Sequence, residues 1–128
     1  MSKFGTKMVD AIKARELVEQ LVVDNIGMLD SYENELEKQY RSELRNILKY
    51  VEYASNGNSL PETKMRKYGG ADGCTEYEFK SDHLRLWAIQ HPGKKIIILG
   101  GYKCSQLADE RRFRALKKQF ISSLNSRR

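Results

Sequence analysis

Apolar and polar residues fall into distinct rhythms along this chain, and each rhythm predicts an element. From Arg15 to Asp24 the text RELVEQLVVD places Leu17, Leu21 and Val23 on one side and Val18 and Val22 on the other, the alternation of a strand. Leu17, Val18, Leu21 and Val22 also fit a helical period, which keeps a helix as the rival. The β-branched pair Val22-Val23, followed by Asp24-Asn25-Ile26-Gly27, favours strand and turn. Next, Leu29, Tyr32, Leu36, Tyr40, Leu44, Ile47, Leu48 and Val51 recur three or four apart between charged residues. This predicts an amphipathic helical hairpin or one bent helix. Asp30 or Ser31 can cap its start, and Asn56-Gly57-Asn58-Ser59 with Pro61 ends it. A loop holding Lys64, Arg66, Lys67 and Gly69-Gly70 is expected to follow.

The middle of the chain reads CTEYEFKS, LRLWAIQ and KKIIILGGY, parted by Ser81-Asp82-His83 and His91-Pro92-Gly93. Three short strands with tight turns make an antiparallel meander. The run Ile96-Ile97-Ile98-Leu99 predicts a central strand covered on both faces. A last helix is expected from about Leu107 to Leu124, with Phe113, Leu116, Phe120 and Leu124 as its apolar stripe and Arg111, Arg112, Arg114, Lys117 and Lys118 on the other face. Residues 1–14 read as a flexible N-terminal tail and residues 15–125 as one domain.

Composition narrows the class. The chain has 128 residues, 40% hydrophobic and 31% charged, enough for one modest core. No run approaches the ~18 apolar residues of a membrane span, and Met1 to Lys13 lacks the apolar stretch of a secretory leader. A cytoplasmic protein is expected. Cys74 and Cys104 are expected to be free thiols, and together with His83 and His91 they lack the paired spacing of a zinc site. No cofactor or metal is expected. The net charge of +6 is uneven: residues 1–60 carry 8 Lys+Arg against 10 Asp+Glu, residues 61–128 carry 15 against 7. The basic half is where an anionic partner would be met, either nucleic acid or an acidic protein.

No nucleotide-binding glycine loop and no serine-nucleophile elbow is present, and Gly100-Gly101 alone does not make a phosphate cradle. The strands do offer Glu76, Glu78 and Lys80 on one face of the first meander strand, Arg85 on the second, and Tyr102 and Lys103 at the end of the third. Metal-free RNA cleavage needs a base for the 2′-hydroxyl, an acid for the leaving oxygen and fixed cations for the phosphorane. Glu78, Lys80, Arg85, Tyr102 and Lys103 could divide those tasks. The same residues could equally be cross-strand ion pairs on a solvated sheet.

The segments EYEFKSDHLRLWAI and GKKIIILGGYKCSQLADERRF resemble the phage-derived, HigB-like branch of the RelE/ParE toxin superfamily, and with the Leu17–Asp24 segment and the helices after it the resemblance spans roughly residues 15–122. It implies an α+β, RelE-like fold: an N-terminal strand and helical hairpin plus a C-terminal helix on a twisted, mainly antiparallel four-stranded sheet. It also implies a type II toxin, a ribosome-dependent mRNA endonuclease (mRNA interferase) that inhibits translation and is held by a cognate antitoxin, often a helix-turn-helix protein. By position, Arg85 matches the arginine that holds the scissile phosphate and Lys103 a cation after the last strand, with Tyr102 and Lys80 as looser matches. Glu76 and Glu78 stand where well-known ribonuclease members place lysines, which leaves the general base open, and no histidine is assigned. Lys64, Arg66, Lys67, Arg111 and Arg112 are the candidate RNA contacts. Two alternatives keep the same fold: a ParE-type inhibitor of DNA gyrase with no chemistry, and a non-toxic phage or plasmid binding module. Trp87, mid-strand after Leu86, is expected in the core rather than stacked on a base.

Overall fold

The computed structural model describes residues 2–70 and 72–126. Strand β1 (Phe4–Met8) is followed by β2 (Leu17–Val23), a two-residue β3 (Ile26–Gly27), helix α1 (Met28–Glu35) and helix α2 (Arg41–Ser55). Then come β4 (Met65–Gly69), β5 (Thr75–Lys80), β6 (Leu84–His91), β7 (Lys94–Tyr102) and helix α3 (Gln106–Asn125). The fold is α+β, with a seven-stranded mixed sheet in the order β1-β2-β7-β6-β5-β4, β3 pairing β2 off that path. Among the described residues β2 and β7 run parallel and the other pairs are antiparallel. Helices α1 and α2 cover one face and α3 the other. No helix among the described residues is long and apolar enough to cross a membrane.

The meander and the central strand stand as expected. Ile96, Ile97 and Ile98 are fully buried, with Ile97 in the core under α1 and α2 and Ile96, Ile98 and Leu99 in the core under α3. Trp87 is buried and stacks on Phe113, centroids 6.2 Å apart. The period-two reading of residues 17–23 is a strand, not the rival helix. At its end Asp24 and Asn25, with φ of 50° and 71°, form the two-residue turn into β3, the left-handed pair that a tight hairpin requires.

Three expectations are corrected. The first concerns the N-terminal tail: Phe4–Met8 pairs along β2, and Phe4, Val9 and Ile12 are buried, because β2 would otherwise expose an edge and the core beneath it. The second concerns the loop after α2, since Met65–Gly69 pairs along β5 as the opposite edge strand. The sheet is therefore wider than four strands. The helical stretch is a pair of helices, in keeping with the hairpin reading, parted at Leu36, which is extended and buried; the third correction concerns its cap. Neither Asp30 nor Ser31 caps α1; instead Gln20 Oε1, from β2, accepts from the N–H groups of Leu29 and Asp30, both at 3.0 Å. A buried amide on the sheet thus satisfies two donors at the helix start.

Candidate functional site

Strand direction brings four elements together at one end of the sheet. The β5–β6 turn (Ser81, Asp82, His83), the end of β7 (Tyr102), the start of α2 (Tyr40, Glu43) and the start of α3 (Gln106, Asp109) meet there. Close packing makes this possible. At Gly100 the Tyr32 ring lies where a Cβ would stand, and Tyr32 Oη donates to Gly101 O at 2.8 Å. Burial pushes the Tyr32 phenol well above its ordinary value, with Tyr102, Glu43 and Asp109 adding to the shift and Arg85 opposing it. That hydroxyl is therefore a fixed donor that senses all four groups.

Arg85, matched to the phosphate-holding arginine, is buried at 7% exposure. Its Nη1 donates to Ser81 O at 2.7 Å and Leu84 O at 2.8 Å, and its Nε to Gln106 Oε1 at 3.4 Å. The guanidinium braces the β5–β6 turn from within, so its charge reaches the site but its face is not open to a ligand in the way the resemblance implies. Glu78 is fully buried. It accepts from Tyr68 Oη at 3.1 Å and from Gln106 Nε2 at 2.7 Å. A carboxylate sealed beneath α3 cannot reach a 2′-hydroxyl, which removes Glu78 from the catalytic set. Glu76 is buried too, and accepts from Lys117 at 2.9 Å. Lys117, expected on the solvated face of α3, is buried at 3%.

Lys80 is half-buried on the same face as Glu78 and directly opposite Arg85 in the register. Burial and the charges of Arg66 and Arg85 pull its ammonium below the ordinary value, against the opposing pull of Glu78 and Glu62. Tyr102 Oη accepts from Glu37 N at 3.2 Å, and Lys103 is exposed, its N–H donating to His83 O at 2.8 Å. Among the proposed RNA contacts, Lys64 lies over Tyr50 at 5.5 Å and Arg66 over Tyr68 at 5.0 Å, partly engaged within the fold. Lys67, Arg111 and Arg112 are exposed and form no salt bridge among the described residues.

What the sequence reading missed is His83. Its Nδ1 sits 2.9 Å from Glu43 Oε1, its backbone N–H donates to Glu43 Oε2 at 2.8 Å, and Ser81 Oγ also donates to Glu43 Oε2. The His83 ring is tilted against Tyr40 at 5.0 Å, and Tyr40 meets Tyr102 edge-on at 5.6 Å. Partial burial alone would raise the Glu43 carboxyl, but the bonds from Ser81 and His83 and the nearby imidazole outweigh it and hold Glu43 below its usual range. His83 and Glu43 lie 40 residues apart, so no local spacing announces them.

Compared with protein-family models, curated proteins and solved structures, the chain matches none.

Proposed function

We propose that this chain is a toxin of the RelE/ParE kind that binds the ribosome and cleaves messenger RNA without a metal, under the control of a cognate antitoxin. The observation that carries the reading is the convergence of Lys80, Arg85, Tyr102 and Lys103 at one end of the sheet, with Lys103 exposed and Arg85 charged behind it. A fixed guanidinium flanked by lysines that form no salt bridge among the described residues suits a phosphodiester whose charge grows in the transition state. Exposed Lys67, Arg111 and Arg112 extend the positive surface that would hold ribosomal or messenger phosphates. An antitoxin would neutralise the same cations.

A second reading is favoured by one feature: Glu78, a candidate from its chemistry, is buried, and Arg85, the phosphate-holding match of the resemblance, is engaged with backbone carbonyls. A binding protein that keeps the fold without the chemistry, such as a gyrase inhibitor, would show this. Primer extension on a defined transcript in a translating extract separates the two. The nuclease reading expects new ends inside the reading frame that require ribosomes and fade in Lys80→Ala, Lys103→Ala protein. Intact messenger alongside stalled gyrase would establish the binding reading instead.

A further inference from the structure

The four elements at the site end place a histidine in a setting that its sequence position does not suggest. The His83 side chain is 57% accessible, whereas the Glu43 side chain behind it is 20% accessible. Glu43 makes three contacts with the turn, to Ser81 Oγ, His83 N and His83 Nδ1. These fix both the backbone at His83 and the orientation of its ring. A solvent-exposed ion pair would need only one of them. With Nδ1 facing a carboxylate, the ring carries its proton there and leaves Nε2 as the basic nitrogen, the arrangement that an orienting carboxylate imposes on a general-base imidazole.

From this geometry we propose that His83 is the proton-transfer group of the cleavage reaction, positioned by Glu43. The inference rests on the nuclease reading and supplies its missing general base. His83 Nε2 removes the proton from the ribose 2′-hydroxyl; the 2′-oxygen bonds to the adjacent phosphorus, and the bond from phosphorus to the 5′-oxygen breaks. The departing 5′-oxygen takes a proton from the imidazolium or from water, leaving a 2′,3′-cyclic phosphate and a 5′-hydroxyl, with no redox change and no net proton. Lys103, whose backbone is bonded to that of His83, and Arg85, bonded to the Ser81 carbonyl, carry positive charge into the same corner. Glu43 touches no substrate and is a positioning residue. The charged and titratable groups around His83 are Glu43 and Tyr40 from the helical side, Tyr102 and Lys103 from the end of β7, and Asp82 in its own turn.

The test is single-turnover cleavage of a defined messenger on purified ribosomes, followed by primer extension from about pH 5 to about pH 9, with wild type, His83→Gln, Glu43→Gln, Glu43→Asp and Lys103→Ala. His83→Gln, at an exposed position, is expected to fold normally and to lower the rate about 100-fold or more while erasing one limb of the pH profile. Glu43→Gln is expected to slow cleavage and displace the same limb, because an amide can donate to Nδ1 and so favour the wrong tautomer; Glu43→Asp should restore part of the rate. Nitrogen-15 shifts of the His83 ring, read without substrate, should show the proton on Nδ1 in wild type and a mixture in Glu43→Gln. Cleavage unchanged in His83→Gln but lost in Lys103→Ala would overturn the role of His83 and leave the nuclease standing. A proton on Nε2 in the wild-type ring would likewise overturn it. No cleavage by wild type would overturn both.

Discussion

The two ends of the sheet carry the same kinds of residue and use them differently. At the far end, by the β6–β7 turn, Lys95 Nζ meets Glu16 Oε1 at 2.5 Å and sits over the Tyr77 ring at 5.0 Å, while Lys94 meets Glu19 at 2.8 Å. Gln90 ties Glu16 to the turn carbonyls of His91 and Lys94, and Tyr77 Oη donates to Gln90. Lys117 adds bonds to Asp72, the Cys74 carbonyl and Glu76. There lysine, glutamate and tyrosine are locked together. At the site end, Lys103 forms no salt bridge among the described residues and His83 stands in solvent against a single carboxylate. Internal pairing neutralises the lysines of one end, whereas Lys103 at the other is left without a salt bridge among the described residues. Residue type therefore does not separate the two ends; they differ in which charges the fold leaves uncompensated.

The contrast is broken most severely by removing the buried cation of the far end. Lys117→Met leaves Glu76 in the core with, among the described residues, Arg114 at 3.5 Å to answer it, and should cost about 3 kcal/mol in urea unfolding. Burial alone would lower the Lys117 ammonium, but its bonds to Glu76 and Asp72 raise it above the ordinary value. Its contribution is thus complete below that value and fades as pH rises through the raised one. The variant should lack this alkaline loss; if wild type and variant were equally stable at neutral pH, the ion pair would contribute nothing net. Lys95→Met should cost less, about 1 to 2 kcal/mol, since the Met stem still covers Tyr77 and Glu16 can reach water. In neither variant should cleavage per folded molecule change, and a specific loss of cleavage would mean that the far end takes part in function.

Much of this partition was open to inspection in the sequence, and the exceptions have physical causes. The meander, the doubly covered Ile96–Leu99 run and the stripe of α3 follow from period and turn chemistry, which are local. Lys117 was readable in part: it falls four residues after Phe113 and three before Phe120, both buried, inside the apolar stripe rather than opposite it. The edge strands β1 and β4 were not readable. Their texts FGTKM and MRKYG are half-exposed, so solvent-facing lysine and arginine mask the alternation. Alternation does place Glu76, Glu78 and Lys80 on one face, but only the path of α3 decides that the first two are covered and the third is not. The Glu43–His83 contact joins a helix to a turn, and nothing local in either segment encodes it.

The smaller prediction sharpens the site end. His83→Gln removes an exposed ring that packs on Tyr40, so it should change stability by less than about 0.5 kcal/mol in the same urea assay, despite its large proposed effect on cleavage. A loss of several times that size would make His83 a structural residue and bring the two ends closer in kind.

Acid separates the contributions of the two ends. Glu43 at the site end, and Glu19 and Asp72 at the far end, are all held below their usual carboxylate values. For Glu19 and Asp72, as for Glu43, burial pulls upward and bonds to Lys94 and Lys117 respectively outweigh it. A depressed carboxyl stabilises the fold above its ordinary value and loses that contribution as pH falls through the folded one. Wild type should therefore weaken below pH 4.5, the ordinary value for glutamate. Glu43→Gln should start less stable at neutral pH, having lost charge-assisted bonds to the turn, and should lose less on acidification because that titration is gone. Urea midpoints for the two proteins should thus converge between about pH 7 and about pH 3. Curves that stay parallel would mean that the Glu43 carboxylate contributes nothing to the fold through its charge, and would leave the acid sensitivity to Glu19 and Asp72 at the far end and to Asp30 beside Lys7.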